Sequence, residues 1–534
     1  MKPIRELDSK TLTTEQKLGL LLCPMVKAEE GEIATVIQMI REHRLGAVWI
    51  SHNMKGRDEI IARVKEAADY PILIMCDAED GHPDHPIPGM LSLSAANERE
   101  EYAYSFGRVT ASSFAALGYN VICNPILDRR IRRASPGAQT RSISPDREVV
   151  ARLGAAIIRG MHDGGTLSVA KHYPSPMKTT PHDTHLREGY ATDTKEELIE
   201  DALYPYRKLI DEGLIDGVMV GHKRLVNIDP DRPATLSRPV VDILREIGFD
   251  GFAITDALGM MGVAAKYGPT APTAMSVEAG CDIPLISIPC ADALGALREA
   301  YEDGRITDER LDAAVAHVLA AQHKVTLLPE GEPLRPEDVE NVGRISRECI
   351  SAVCAEGLTP TLPREGRHLF ILMTEGSVDL SSLEFDAFAS EWYNPKHIAD
   401  TIRSLFPNSG VITHPDYPKF SQNWHLLRAH QDYDDVVYIT YYKSFCYIGR
   451  ECLTQRTIDI MDALQSTDRI AAHLHFGNPY VATDAPYVPR VLLGLGSADC
   501  IDHALKILAG EAECLGKQPY AEYLKFHEKD DILC

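Results

Sequence analysis

Two stretches, Gly217-Val218-Met219-Val220-Gly221-His222 and Gly251-Phe252-Ala253-Ile254-Thr255-Asp256, share one design. Each is a short apolar run with β-branched residues that ends on a side chain able to move a proton or hold a ligand. Similar apolar runs lie at Gly46–Ser51, Pro71–Cys76, Asn120–Leu127, Thr166–Ala170 and Asp282–Ile286. Helix-period segments separate them, among them Asp58–Ala68, Arg99–Leu117, Asp146–Met161, Lys195–Glu212 and Arg238–Ile247. Strand–helix alternation with apolar strands predicts a parallel sheet covered on both faces. About seven or eight such units over roughly 320 residues fit a (β/α)8 TIM-like barrel better than an open sheet.

The polar positions strengthen this. His52, Asp77, Asp128, Lys171 with His172, His222 and Asp256 each close a strand. In a barrel the C-terminal strand ends converge on one mouth, where active sites sit. Beyond the barrel, Leu327–Val339 is rich in Pro and Glu and reads as a linker. A helix is expected over Asn341–Glu356, then further strands at Leu369–Met373, Asp435–Tyr441, Arg469–His475 and Arg490–Leu495. Helices are expected at Lys396–Leu405, Arg456–Gln465 and Ala498–Leu508. The expected layout is therefore a barrel over residues 1–326, a linker over 327–344, and a smaller α/β sandwich domain over 345–534. The aromatic-rich Val437–Arg450 reads as a core strand and its loop.

Composition bounds the function. The 534 residues carry a formal net charge of −23, which argues against nucleic acid or an anionic membrane as the main partner. No apolar run is long enough for a membrane-spanning helix, and Glu6 and Asp8 interrupt the start where a signal peptide would be apolar. The 12 cysteines form no C-x-x-C pair, which fits reduced, buried thiols and a cytoplasmic protein. The sequence sets no oligomeric state.

Several residues carry chemistry. Asp256 suits a nucleophile, a general base or a metal ligand, and also a helix N-cap. Lys171-His172 closes another strand and opens the long loop Tyr173–Arg187. Within that loop Asp183-Thr184-His185 is an Asp-x-His pair, in which a carboxylate orients an imidazole and raises its pKa. A polar surface loop is the plain alternative. Arg141 lies between a loop and a helix, where an arginine is ordinarily a surface charge. The stretch Ala78–Gly89 after Asp77 is dense in acids, His and Pro, as a binding loop or a solvated one would be.

Asp229–Ser237 (DPDRPATLS), Gly248-Phe249-Asp250-Gly251 and Thr255-Asp256-Ala257-Leu258-Gly259-Met260 form a specific set. Arg141-Ser142 with Asp146, Lys171-His172-Tyr173-Pro174 and Asn124-Pro125-Ile126-Leu127-Asp128 join it in order. Together they resemble glycoside hydrolase family 3, and within it the bacterial β-N-acetylglucosaminidase (β-N-acetylhexosaminidase) branch. The resemblance implies Asp256 as the nucleophile, His185 as general acid/base and Asp183 as its partner. It implies that Asp77, Arg141, Lys171 and His172 bind the sugar, and that no metal or organic cofactor is used. Two stretches depart from the branch. Ser175-Pro176-Met177 stands where it has Gly-His-Gly, and Ala78-Glu79-Asp80-Gly81-His82 lacks a substrate-binding arginine.

The resulting expectation is a retaining exo-glycosidase acting on terminal β-linked N-acetylglucosamine in a small carbohydrate or glycoconjugate. Alternatives within the family are a β-glucosidase, another β-hexosaminidase, or an N-acetylglucosaminide phosphorylase, since a neutral imidazole base does not repel an anionic acceptor. Remoter ones are a metal-dependent barrel hydrolase, with Lys171, His172, His222, Asp256, His82 and His85 as candidate ligands, and a non-catalytic sugar-binding relic.

Overall fold

The computed structural model describes residues 5–129, 140–329, 333–374, 393–415, 419–442 and 452–518. They fall into two compact units. One comprises Met1–Pro86, Glu100–Arg130 and Pro145–Val342; the other comprises Ile87–Arg99, Ile131–Ser144 and Gly343–Cys534.

The first unit is a parallel barrel. Its strands are β1 (Cys23–Pro24), β2 (Ala47–Trp49), β3 (Leu73–Cys76), β4 (Val121–Ile122), β5 (Leu167–Tyr173), β6 (Gly217–Val220), β7 (Phe252–Thr255) and β8 (Leu285–Ile286). Parallel ladders join β2 through β7 in chain order, and another joins β1 to β8. Two single bridges, Met25 to Trp49 and Ile254 to Ile283, complete the ring. The strands are apolar because both faces are covered: β3, β6 and β7 are buried throughout. Glycines permit the close approach of neighbours. A Cβ on Gly217 would lie 2.3 Å from the Phe252 ring on the next strand.

The helices follow their local signals. Asp146 caps Arg147–Asp163 by accepting from Glu148 N–H at 2.8 Å. Thr194 and Glu197 form a reciprocal capping box at the start of Lys195–Glu197. The helix Glu100–Leu117 packs along Arg147–Asp163, where Gly107 and Gly160 meet the backbone of the opposite helix. At the opposite rim from the mouth, Asp282 is wholly buried. It pairs with Arg245 at 2.8 Å, Arg310 at 2.7 Å and His317 at 3.0 Å, and accepts from Ala253 N–H at 2.9 Å.

The second unit holds a six-stranded mixed sheet. Its strands are β9 (Ser351–Cys354), β10 (His368–Thr374), β11 (Gly410–Pro415), β12 (Asp435–Tyr442), β13 (Ile470–Gly477) and β14 (Arg490–Gly494). The spatial order is β9-β14-β13-β12-β10-β11, parallel except for the antiparallel edge pair β9–β14. Its helices include Pro395–Leu405 and Ala498–Leu508, which pack together.

The expected barrel and second α/β domain are both present. Several local expectations need correction. The helix expected over Asn341–Glu356 runs over Pro336–Glu348 and is followed by β9, because Ser351–Cys354 completes the sheet edge. The strands β1 and β11 and the helix Phe420–Ala429 were not anticipated. β1 spans two residues and includes a proline, so it shows no strand periodicity of its own. Of Val437–Arg450, the part through Tyr442 lies in β12, and residues 443–450 lie outside the described residues. Among the described residues no helix is long and apolar enough to cross a membrane.

Candidate active site

The barrel strand ends place most of the expected residues in one unit. Lys171, near the end of β5, is buried, and its ammonium lies 2.6 Å from both Asp77 and Glu79. The carboxylates follow β3 with one residue between them, which lets both reach one lysine. A buried ammonium needs such partners, because desolvating an unpaired charge is costly.

His172 comes next along β5. Its Nδ1 is 2.7 Å from an Asp128 carboxylate oxygen, and the same oxygen accepts from the His172 backbone N–H at 3.2 Å. Asp128 is buried. An acceptor-only partner fixes the proton on Nδ1 and leaves Nε2 as the nitrogen to meet a ligand.

The loop after β5 repeats this arrangement. The Asp183 carboxylate accepts from the His185 backbone N–H at 2.9 Å and lies 2.7 Å from His185 Nδ1. Asp183 is buried and His185 is partly exposed. The loop is built into the barrel. Both oxygens of buried Asp193 take backbone donors, from Met177 at 2.9 Å and Lys178 at 2.8 Å. Thr184 and His185 in turn offer their carbonyls to Gly262 N–H at 2.9 Å and Met261 N–H at 3.2 Å. These donors belong to the segment that leaves Asp256, so the Asp-x-His loop is hydrogen-bonded to the chain just past it. Gly262 is required there, since a Cβ would stand 2.7 Å from the Thr184 carbonyl oxygen.

Asp256 follows β7, with its own N–H bonded to the Val220 carbonyl at 2.9 Å. One carboxylate oxygen accepts from Ala257 N–H at 2.8 Å. Burial pushes this carboxyl up, but His222, His172 and His185 together hold it below the ordinary carboxylate value. A carboxylate kept ionised among imidazoles is suited to attack on carbon, and the imidazoles are suited to proton transfer.

Arg141 lies apart from these in the chain's division. It belongs to the Ile131–Ser144 stretch of the second unit and is half-buried. Glu79 was not among the residues singled out as binding candidates, although its two-residue spacing from Asp77 is a readable signal for a shared partner. The altered stretch after Asp77 is a small hairpin, Gly81-His82 against His85-Pro86, with the His82 ring edge-on to Phe114 at 5.2 Å. In the other altered stretch, Ser175 is buried with a φ of 52° and bonds the His172 carbonyl at 2.9 Å. Among the described residues no group of three or more His, Cys, Asp or Glu side chains is disposed to hold a metal ion.

Residues 13–321 match the model of the glycosyl hydrolase family 3 N terminal domain. The chain belongs to glycosyl hydrolase family 3. Among its family-3 likenesses, a beta-hexosaminidase of Tolumonas auensis is 32% identical over 283 residues, spanning 51% of this chain and 81% of the relative. A beta-N-acetylglucosaminidase/beta-glucosidase of Cellulomonas fimi is 27% identical over 338 residues, 59% of each chain. The solved structure of a glycoside hydrolase family 3 beta-N-acetylglucosaminidase from Paenibacillus sp. is similar at a TM-score of 0.79. The two are 25% identical, over 95% of this chain and 99% of that one. The family-3 enzyme described here is thus a glycoside hydrolase with β-hexosaminidase-like sequence, as its motifs led one to expect.

Proposed function

We propose that the chain is a retaining exo-glycosidase that removes terminal β-linked N-acetylglucosamine by double displacement. The observation that carries this is the docking of the Asp183–His185 pair onto the segment that leaves Asp256. It supplies a proton carrier and a carboxylate on one unit, the two groups the reaction needs.

In the first step an Asp256 oxygen attacks the anomeric carbon as the glycosidic C–O bond breaks. His185, protonated, gives its proton to the departing oxygen. In the second step water attacks the same carbon, its proton passes to the now neutral His185, and the Asp256–carbon bond breaks. The Asp183 carboxylate steadies the ring in both steps by holding Nδ1. An imidazole suits both halves near neutral pH. Asp77, Lys171 and His172 hold the sugar hydroxyls, a role that the family resemblance also gives to Arg141. Glu79 keeps the Lys171 ammonium in place. The acetamido sugar is favoured by the relatives named beta-hexosaminidase and beta-N-acetylglucosaminidase.

The test compares release of nitrophenol from the aryl β-N-acetylglucosaminide and the aryl β-glucoside, for the wild type and Asp256→Ala. Preferential turnover of the acetamido sugar, abolished in the variant, is the expected result. Equal turnover by Asp256→Ala would sink the nucleophile, and preference for the glucoside would sink the substrate.

A further inference from the structure

His222 stands at the end of β6 and is buried, yet nothing in the double displacement uses it. Its two ring nitrogens have unusual partners. Nε2 lies 3.0 Å from the carbonyl oxygen of Ala257, the residue after Asp256. A carbonyl only accepts, so Nε2 must carry a proton. Nδ1 lies 2.7 Å from the hydroxyl of Thr235. That hydroxyl has one proton, and two carbonyls compete for it: Gly221 at 2.6 Å and Val220 at 3.2 Å. With the proton directed to Gly221, the hydroxyl meets Nδ1 with a lone pair. Nδ1 must then be a donor as well. Thr235 is fully buried, so water does not relieve the arrangement.

We propose that His222 is a doubly protonated imidazolium, a fixed counter-charge for Asp256, and that Thr235 enforces it by presenting only an acceptor. His222 is then a positioning residue in the electrostatic sense: it touches neither substrate nor reacting atoms, and it keeps the nucleophile ionised. This rests on the reading of Asp256 as nucleophile.

The groups that act on His222 are the Asp256 carboxylate after β7, His185 on its loop and His172 on β5. Burial pushes the His222 imidazole down, the Asp256 carboxylate and the Ala257 carbonyl push it up, His185 and His172 oppose them, and the net of burial and charge lies below the ordinary imidazole value. The hydrogen-bond geometry stands against that balance, and the proposal rests on it. A neutral ring would leave one buried nitrogen lone pair facing an oxygen lone pair, or leave the Gly221 carbonyl 2.6 Å from a hydroxyl oxygen with no proton between them.

The experiment has two arms on the full chain. The first is the ¹H–¹⁵N spectrum of the ¹⁵N-histidine-labelled protein at about pH 8, where ordinary histidines are neutral. Its His222 signals are assigned by their loss in His222→Gln. Two ring N–H groups on His222 are expected, and a single one overturns the proposal. The second is the pH dependence of kcat/KM for the wild type, His222→Gln and Thr235→Val. Loss of a nearby cation raises a carboxyl's pKa by about one unit or more. The acid limb should therefore move to higher pH by about that much in both variants, and an unmoved limb in both overturns the counter-charge. Thr235→Val retains the histidine, so it reads the effect even where His222→Gln folds poorly. Full turnover by Asp256→Ala would remove the nucleophile reading, while the spectrum would still report the charge of His222.

Discussion

The carbonyl oxygen of Thr184 accepts a hydrogen bond from the backbone N–H of Gly262 at 2.9 Å, the shorter of two main-chain hydrogen bonds that join the loop bearing His185 to the chain leaving Asp256. Their separation is set by backbone, which holds position better than long side chains do.

Gly262→Ala tests this contact directly. The new Cβ would stand 2.7 Å from the Thr184 carbonyl oxygen, and backbone is slow to yield. Displacing a catalytic group by about 1 Å costs on the order of 100-fold in rate. Steady-state kinetics should show kcat reduced by roughly ten- to 100-fold. Thermal melting should move little, since the rest of the barrel is untouched. Unchanged kcat would mean the loop does not need this anchor.

Asp128→Ala removes the acceptor that orients His172. Hydrogen bonds to charged groups contribute about 1.5–3 kcal/mol, so kcat/KM should fall by roughly ten- to 100-fold. If His172 binds sugar, the loss should appear mainly in KM. A loss confined to kcat would instead give His172 a part in the chemistry.

Lys171→Met leaves Asp77 and Glu79 facing each other without their shared cation. Like charges at that range repel, and the mouth proposed to bind the sugar should distort. Activity should drop by on the order of 100-fold, with Glu79→Gln losing distinctly less because Asp77 still holds the ammonium. Equal losses in the two variants would assign Glu79 a contact of its own with substrate.

Asp282 gives a stability prediction with a sign. Burial pushes its carboxyl up, but His317, Arg310 and Arg245 hold it below the ordinary carboxylate value. A depressed carboxyl stabilises fully above its unfolded pKa, and the contribution drains away as pH falls through the folded value. Asp282→Asn should therefore lower the melting temperature at pH 7, by a stability loss of about 3 kcal/mol. The gap between variant and wild type should narrow as the pH is lowered below about 4. A gap constant over that range would show that the charge is not what matters.

The barrel was legible because its strands are buried on both faces and end in polar residues, a pattern visible in Gly251–Asp256 without any structure. The Asp183–His185 pair was legible because its partners are two residues apart. Lys171 and Glu79 are distant in sequence, and the spacing of Glu79 from Asp77 hints at a shared partner without naming Lys171. Thr235 was quoted only as part of a motif, since its importance comes from which carbonyls surround it. Edge strands such as Ser351–Cys354 were missed because pairing with β14, not local pattern, makes them strands.

The ring of eight strands is knit unevenly. β8 is held to the β7 segment by four main-chain hydrogen bonds between Ala253–Leu258 and Asp282–Leu285, whereas β1 and β2 are joined by two, Ala47 N–H to Leu22 and Val26 N–H to Trp49. The seam between β1 and β2 is therefore the thin one in the barrel wall. When such a wall breathes, its shortest seams part first. The amide protons of Val26 and Ala47, which cross that seam, should exchange ahead of those in β6. Slow motions of the barrel wall would then start at this seam and not at the Asp-x-His loop.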